Sequence, residues 1–276
     1  YLRENLRGFE FDLQDHGAGA VSLLARRGET KRVFNVHMDT VPSSPGWSAD
    51  PHVLRVDGER AIGLGACDIK GAAACLLAAA ELSDGPVAML FSSDEEANDA
   101  RCLAAFLAQD RGYREAIVAE PTQAQAVLAH RGISSARIAF KGIAGHASAP
   151  DAIEQSAVHQ AMRWGAAALA HVQAQAHARF GGLTGLRFNI GRVEGGIKGN
   201  VVAPSCEARF NFRPLPSMDS DALHAAFRGF ARAESLEAYE ETFRGPSLPA
   251  GDIAQAEERR LAARDLADEL GLPIGS

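Results

Sequence analysis

Several histidine and carboxylate side chains stand where short apolar segments of the sequence end, or where a glycine-rich loop leads into a helix. They are His37, Asp39, Asp68, Glu95, Glu96 and Glu120. Imidazole nitrogens and carboxylate oxygens are the ligands that zinc-like divalent cations take in proteins. A carboxylate that bridges two such cations, about 3.5 to 4 Å apart, allows a water molecule to ionise and a substrate carbonyl to be polarised. These residue types therefore indicate metal-assisted hydrolysis.

The apolar segments that precede these residues are predicted to be buried β-strands, because they are rich in β-branched and aromatic residues. They cover residues 33–36, 87–91 and 116–119. A loop from Gly63 to Asp68 leads into an Ala- and Leu-rich helix over 71–82, which gives the strand–helix alternation of a mostly parallel sheet. In such sheets ligands bind outside the carboxyl ends of the strands, so we expect one site at that edge.

Taken alone, each residue also has a simpler interpretation as a helix cap, a solvated acidic turn or an exposed loop residue. Their convergence from separate strand ends favours a metal site. The predicted metal ligands are His37, Asp68, Glu96 and Glu120. Glu95 stands beside a ligand and is expected to carry protons. Asp39 lies two residues beyond His37 on extended backbone, so both side chains face the same way and Asp39 can orient the imidazole.

The composition excludes several other classes of protein. Of the 276 residues 46% are hydrophobic and 23% charged, as in ordinary soluble proteins, and the net charge is -7 without any Lys/Arg block that would bind nucleic acid. The apolar runs are too short to span a membrane. The 4 cysteines show no paired CxxC spacing, which favours reduced thiols. We therefore expect a soluble cytoplasmic protein that acts on a small molecule.

The sequence pattern changes after about residue 130. A strand, a long helix, two strands and a second helix are predicted over residues 133–142, 152–177, 186–193, 207–213 and 220–233. This order indicates a compact α+β unit inserted into the first domain. The predicted divisions are 1–130 for the first part of the α/β catalytic domain, 131–236 for a ferredoxin-like lid, and 237–276 for the second part of the catalytic domain. That last part holds a short strand at 239–243 and a helix at 253–270.

Four motifs together resemble the M20 family of metallopeptidases and deacylases, in both order and spacing. They are His37-Met38-Asp39-Thr40-Val41-Pro42, Gly65-Ala66-Cys67-Asp68-Ile69-Lys70-Gly71, Asp94-Glu95-Glu96 and Glu120-Pro121-Thr122. With the motifs of the inserted unit, the resemblance covers roughly two thirds of the chain, from Val33 to Pro214. Within the family it is most similar to the deacetylases of N-acetylornithine and N-acetylcitrulline.

The resemblance implies a role for each residue of the predicted site. It implies that His37 and Glu120 bind one metal ion, that Glu96 binds a second, and that Asp68 bridges the two. It also implies that Asp39 orients His37 and that Glu95 is the general base. The cofactor implied is two Zn²⁺ per chain, with Co²⁺ as a possible substitute.

In the inserted unit, Gly145-His146-Ala147-Ser148 resembles the segment that carries the family's lid histidine. The resemblance implies that His146 stabilises the tetrahedral oxyanion, in many members from the partner subunit of a dimer. Asn200 and Arg213 lie in segments that resemble the family's substrate-binding segments. Arg213 could hold a carboxylate through two hydrogen bonds, or it could be an ordinary surface arginine at a strand end.

One feature of the sequence departs from the family. M20 proteins complete the second metal site with a histidine near the C-terminus, and this chain has no histidine after Phe243. The chain also begins later than family members do. We therefore expect it to be part of a longer protein; otherwise the second metal ion is in doubt.

The expected activity is removal of the acetyl group from N-acetylcitrulline or N-acetylornithine in arginine biosynthesis, by a homodimer that forms through the lid. Two alternatives stay open. Another M20 hydrolase, such as a succinyl-diaminopimelate desuccinylase or a dipeptidase, would share the metal residues and differ in the lid pocket. A ligand-binding homologue with an incomplete metal site would bind without turnover.

Overall fold

The computed structural model describes residues 1–97 and 100–275. The chain forms two compact units, Tyr1–Gln123 and Ala124–Ser276. The predicted domain boundaries at 130 and 236 stay predictions. One strand, predicted just after residue 236, pairs differently from the prediction.

The first unit begins with a short helix and five successive strands, and its strands and helices alternate only after the fifth strand. They are α1 (Leu2–Asn5), β1 (Glu10–Asp15), β2 (Val21–Arg27), β3 (Arg32–His37), β4 (Arg55–Asp57), β5 (Arg60–Ile62), α2 (Gly71–Leu82), β6 (Val87–Ser92), α3 (Arg101–Leu107) and β7 (Glu115–Val118).

Five of these strands form one sheet in the order β1-β2-β6-β3-β7. β3 runs parallel to both β6 and β7, whereas β2 runs antiparallel to both β1 and β6. The α/β fold class is confirmed, although the sheet is mixed rather than mostly parallel. The difference comes from the β1–β2 hairpin, whose turn at Gly17 and Gly19 places both residues at positive φ, where glycine is favoured.

Residues of α2 cover one face of this sheet, and residues of α3 cover the other. Met89 and Phe91 of β6 pack with α2 residues on one face, while the alternate residues Ala88 and Leu90 pack near Phe106 of α3 on the other. A strand that is buried on both faces has a nearly continuous apolar sequence. The segments 33–36 and 87–91 have such sequences, which predict buried strands.

The second unit contains the remaining helices and strands. They are β8 (Ile133–Lys141), α4 (Ala152–Gln155), α5 (Ala157–Ala174), β9 (Arg179–Phe180), β10 (Leu183–Thr184), β11 (Arg187–Gly195), β12 (Ser205–Arg213), α6 (Ser220–Gly229), β13 (Leu236–Gly245) and α7 (Ile253–Glu269). The long helix predicted over 152–177 is broken at Ser156, whose backbone is extended and whose side chain accepts the His159 N–H.

Four long strands form an antiparallel sheet in the order β11-β12-β8-β13. With α5 and α6 they give the β-α-β-β-α-β order of a ferredoxin-like unit. The strand predicted at 239–243 was expected to return to the catalytic domain. It lies instead in β13, which pairs with β8 from Leu236 to Gly245 and supplies the fourth strand of this sheet.

The core of the second unit lies between its four-stranded sheet and the helices α5 and α6. Trp164 of α5 is buried against Phe140 and Phe210 of the sheet, and its indole N–H donates to the Phe227 carbonyl of α6 at 2.7 Å. One tryptophan therefore links both helices to the strands. The burial of its ring and the pairing of its N–H stabilise the same arrangement.

A buried polar chain connects α6 to the sheet. His224 Nδ1 lies 2.7 Å from the Tyr239 hydroxyl, and Nε2 lies 2.7 Å from the Ser134 hydroxyl, which also donates to the Phe243 carbonyl. Burial lowers the pKa of His224, with Arg244 adding to the effect and Glu241 opposing it. The neutral form of the imidazole is thus favoured in the folded chain more than in the unfolded chain.

The contribution of His224 to the stability of the chain is expected to fall as the pH drops below 6.5, the ordinary pKa of histidine. Because the folded pKa of His224 lies below this value, the unfolded chain binds the proton more readily than the folded chain does. Protonation therefore lowers the free energy of unfolding. Between the two pKa values this costs at most about 1.4 kcal/mol per pH unit. Chemical denaturation of the wild type and His224→Gln from pH 7.5 to 5.5 measures the effect, with exposed His52→Gln as control. Equal slopes for the wild type and His224→Gln would contradict the prediction.

Among the described residues, no helix is both long enough and apolar enough to cross a membrane.

Candidate metal centre

The C-terminal end of β3 places a histidine beside the acidic turn that follows β6. His37 is only 3% exposed, and it pairs with Ser92 in the parallel register of the two strands. The Met38 N–H donates to the Ser92 carbonyl at 2.7 Å, which extends the pairing by one residue. The turn that carries Glu95 and Glu96 therefore begins next to His37.

Asp68 is brought to His37 by the loop between β5 and α2. The Asp68 Oδ1 lies 3.0 Å from His37 Nε2. Gly65 allows this approach, because its φ is +78° and a Cβ there would meet Thr40 Cγ2 at 2.6 Å. The close approach at Gly65 depends on a contact with Thr40, which the sequence does not show. The glycine-rich loop before Asp68 was the available signal.

Three of the predicted ligands converge most closely. His37, Asp68 and Glu96 each offer one ligand atom, and these atoms all lie within 4.8 Å of one another. Glu120 Oε1 lies 3.9 Å and Glu95 Oε2 lies 4.0 Å from His37 Nε2. A buried imidazole nitrogen thus faces carboxylates from three separate segments: the loop that carries Asp68, the turn that carries Glu95 and Glu96, and the segment after β7 that carries Glu120.

Asp39 lies behind His37, on the Nδ1 side of the ring. Its Oδ1 is 3.4 Å from Nδ1, and its own carbonyl oxygen is 3.2 Å from the same nitrogen. The Asp39 Oδ2 accepts the Glu96 backbone N–H at 2.8 Å. Asp39 Oδ1 is buried and accepts no hydrogen bond in the described part of the chain. This geometry leaves His37 Nε2 facing the carboxylates.

The charges at this centre oppose one another. Burial acts to lower the pKa of His37, but the hydrogen bond with Asp68 and the nearby carboxylates leave that pKa raised. Burial raises the pKa of Glu95 and of Glu120, and the neighbouring carboxylates raise both further against the opposing effect of His37. Crowded carboxylates that repel one another are neutralised by a divalent cation. The donor set of imidazole nitrogen and carboxylate oxygens suits a zinc-like ion.

The second unit holds the other predicted site residues, all of them exposed. His146 and Asn200 belong to neighbouring segments, because the Ala147 N–H donates to the Asn200 carbonyl at 3.2 Å and His146 forms a bridge with Val201. The His146 Nδ1 lies 2.7 Å from the Ser148 hydroxyl. The structure thus brings the His146 and Asn200 segments together.

Arg213 lies elsewhere in the second unit. It is the last residue of β12, opposite Arg187 of β11, whereas Asn200 precedes the first residue of β12. A strand of this length spans roughly 26 Å between its ends. Within one chain, Arg213 and the His146–Asn200 pair are therefore at opposite ends of the lid sheet.

Comparison with known proteins identifies the family to which the chain is similar. Residues 128–238 match the family model described as the peptidase dimerisation domain. The whole chain is 66% identical to the N-acetyl-L-citrulline deacetylase of Xanthomonas campestris, of which it spans 75%. It is 31% identical over 240 residues to the acetylornithine deacetylase of Vibrio vulnificus, and that match covers 80% of this chain and 61% of the relative.

Solved structures share the fold at low sequence identity. The aminopeptidase PepT of Bacillus cereus superposes with a TM-score of 0.66 at 19% identity, over 99% of this chain and 76% of that one. A Bacillus subtilis protein described as a dinuclear metal-binding peptidase of the M20 family superposes with a TM-score of 0.55 at 17% identity, over 99% of this chain and 72% of that one. With the 66% identity over its full length, this chain belongs to the M20 family of metallopeptidases and deacylases.

Proposed function

We propose that this protein is a metal-dependent deacetylase that hydrolyses the amide bond of an N-acetyl amino acid. The observation that carries the proposal is the convergence of His37, Asp68 and Glu96, with ligand atoms within 4.8 Å of one another. N-acetyl-L-citrulline is the favoured substrate over N-acetylornithine, because the relative named for it is 66% identical and the one named for acetylornithine is 31% identical. This activity would serve arginine biosynthesis in the cytoplasm.

The proposed cofactor is a pair of divalent cations, Zn²⁺ or Co²⁺. The family likeness to a dinuclear metal-binding peptidase supports the number. We assign His37 and Glu120 to one ion, Glu96 to the other and Asp68 to both. Bound divalent cations supply Lewis acidity, which polarises the acyl carbonyl and acidifies the attacking water molecule.

Glu95 is the proposed general base. Its carboxylate is 54% exposed, next to the ligand Glu96, and its Oε2 lies 4.0 Å from His37 Nε2. It would take a proton from the water molecule that attacks the acetyl carbonyl, and it would then deliver that proton to the leaving amine. The products are acetate and the free amino acid.

The lid residues are proposed to bind the substrate. His146 would stabilise the oxyanion that develops on the carbonyl oxygen, with Asn200 beside it. Arg213 would hold the substrate carboxylate through its planar guanidinium.

The geometry of the lid supports a homodimer. The ends of β12 lie roughly 26 Å apart, much farther than one N-acetyl amino acid extends. If His146 and Arg213 both contact the same substrate molecule, they must come from two chains. The match to a peptidase dimerisation domain over residues 128–238 agrees with this proposal. Sedimentation equilibrium would measure the mass in solution, and a monomer that retains full activity would exclude the shared site.

Replacing Arg213 by alanine is expected to raise KM for the N-acetyl amino acid by about 10- to 100-fold, the loss of a charge-assisted hydrogen-bonding group. Most of the effect should appear in KM, because the carboxylate is bound equally in the ground and transition states. Arg209→Ala is a matched control, since Arg209 lies four residues earlier on the same face of β12 and pairs with Glu207. Steady-state kinetics with equal KM for both variants would make Arg213 an ordinary surface residue.

The proposed function is tested by acetate release from N-acetylcitrulline and N-acetylornithine, with the complete gene product and its metal content measured in parallel. Chelator-sensitive release from N-acetylcitrulline is the expected result. Hydrolysis of succinyl-diaminopimelate or of a dipeptide, without acetate release from either N-acetyl amino acid, would favour another M20 activity. Ligand binding without turnover would favour a non-catalytic homologue.

A further inference from the structure

The acidic turn after β6 begins with a carboxylate that faces the interior of the protein. Asp94 is only 3% exposed, whereas the adjacent Glu95 is 54% exposed. The Asp94 Oδ2 accepts the backbone N–H of Cys102 at 2.9 Å. Cys102 is itself fully buried in α3; burial raises the pKa of its thiol, and a hydrogen bond from the thiol to Asp94 raises it further. Asp94 is therefore bound to α3 and turned away from the metal ligands.

The same turn is held at two further points. The Ser93 hydroxyl accepts the Val21 N–H at 2.8 Å and donates to the Gly19 carbonyl at 3.1 Å. The Glu96 N–H donates to Asp39 Oδ2 at 2.8 Å. Residues on both sides of Glu95 are thus fixed, and the Glu95 side chain projects from a turn whose backbone is tied to neighbouring segments.

Burying a carboxylate costs free energy unless its oxygens accept hydrogen bonds. The hydrogen bond from the Cys102 N–H offsets this cost for Asp94. Side chains that hold a reacting group by hydrogen bonds keep it within the narrow range of productive geometry. We propose that Asp94 is a positioning residue, which fixes the directions of Glu95 and Glu96 by binding the Cys102 N–H. This inference rests on the proposed function, because it assigns Glu95 and Glu96 their roles.

The test compares Asp94→Ala, which removes the acceptor, with Asp94→Asn, whose amide oxygen can still accept the Cys102 N–H. Asp94→Ala is expected to weaken Co²⁺ binding by about 10- to 100-fold, the usual effect of removing a group that orients metal ligands. At saturating metal it should lower kcat with little change in KM, and it should speed amide hydrogen exchange at Cys102 and Glu96. Asp94→Asn should recover most of the metal affinity and of the exchange protection. The exposed Asp84→Ala, at the other end of β6, is the control.

Two results would overturn the inference. One is wild-type metal affinity and exchange in Asp94→Ala; the other is an Asp94→Asn variant as impaired as Asp94→Ala, which would assign the effect to the charge instead of the hydrogen bond. Failure of the proposed function is distinguishable from both. A wild-type chain that hydrolyses no N-acetyl amino acid would refute the deacetylase, while Co²⁺ titration and amide exchange would still report on Asp94.

Discussion

Glu95→Gln is expected to lower kcat by about 10²- to 10⁴-fold, the contribution of a positioned general base. The glutamine has the same shape and keeps an oxygen at the same place, but it cannot accept the proton from the attacking water molecule. Metal content should stay unchanged, because Glu95 is not among the proposed ligands His37, Asp68, Glu96 and Glu120. The measurement is kcat for acetate release, together with the metal content of the purified variant.

Glu81→Gln provides the matched control for this variant. Glu81 is an exposed carboxylate near the end of α2, so its replacement changes the net charge equally. Its activity should equal that of the wild type. Loss of bound metal in Glu95→Gln would show that Glu95 is a ligand and that the proposed roles are wrong. Normal turnover would place the general base elsewhere.

Asp68→Ala is expected to weaken metal binding by more than about 100-fold, beyond the effect of removing a group that only orients a ligand. Its Oδ1 lies 3.0 Å from His37 Nε2 in a group that includes Glu96, so it is placed to serve both proposed ions. Loss of a bridging carboxylate should therefore remove both ions, and activity should disappear with them. Titration with Zn²⁺ and elemental analysis after gel filtration measure the stoichiometry.

The comparison with Glu120→Ala sharpens this prediction. Glu120 is assigned to a single ion, so its variant should retain more metal than Asp68→Ala. Asp57→Ala, at the exposed C-terminal end of β4, controls for the loss of a surface carboxylate. Equal metal content in the Asp68 and Glu120 variants would contradict the bridging role. Full metal content in Asp68→Ala would show that Asp68 is not a ligand and would leave its hydrogen bond with His37 as its role.

The two units contribute different kinds of residue to the proposed reaction. In the first unit, buried strands hold His37 and its carboxylates within a few ångströms of one another, which gives a fixed metal centre. In the second unit, the residues proposed to bind substrate are exposed and lie near the two ends of β12. Metal affinity and substrate specificity should therefore respond to different substitutions.

The sequence by itself determined the strands that end at the metal-binding candidates, the helix that follows the glycine-rich loop, and the identity of those candidates. Apolar runs such as 87–91 are buried on both faces, so their composition alone marks them as strands. The acidic and imidazole groups at the ends of these runs followed directly. The helix from Gly71 to Leu82 was predicted with its observed limits. Its Ala- and Leu-rich run follows the glycine-rich loop and ends before Gly85-Pro86.

The tertiary structure decided what depends on residues far apart in the chain. The sequence does not specify that β13 pairs with β8, because a strand pattern contains no record of its partner, and the strand was therefore expected in the catalytic domain. The buried position of Asp94 was equally hidden, since a carboxylate between a strand and two glutamates reads as part of a solvated turn. Its partner, the Cys102 N–H, is eight residues away on α3. Strand order and burial arise from packing of the whole unit, and these decide which carboxylates meet at His37 and which one turns inward.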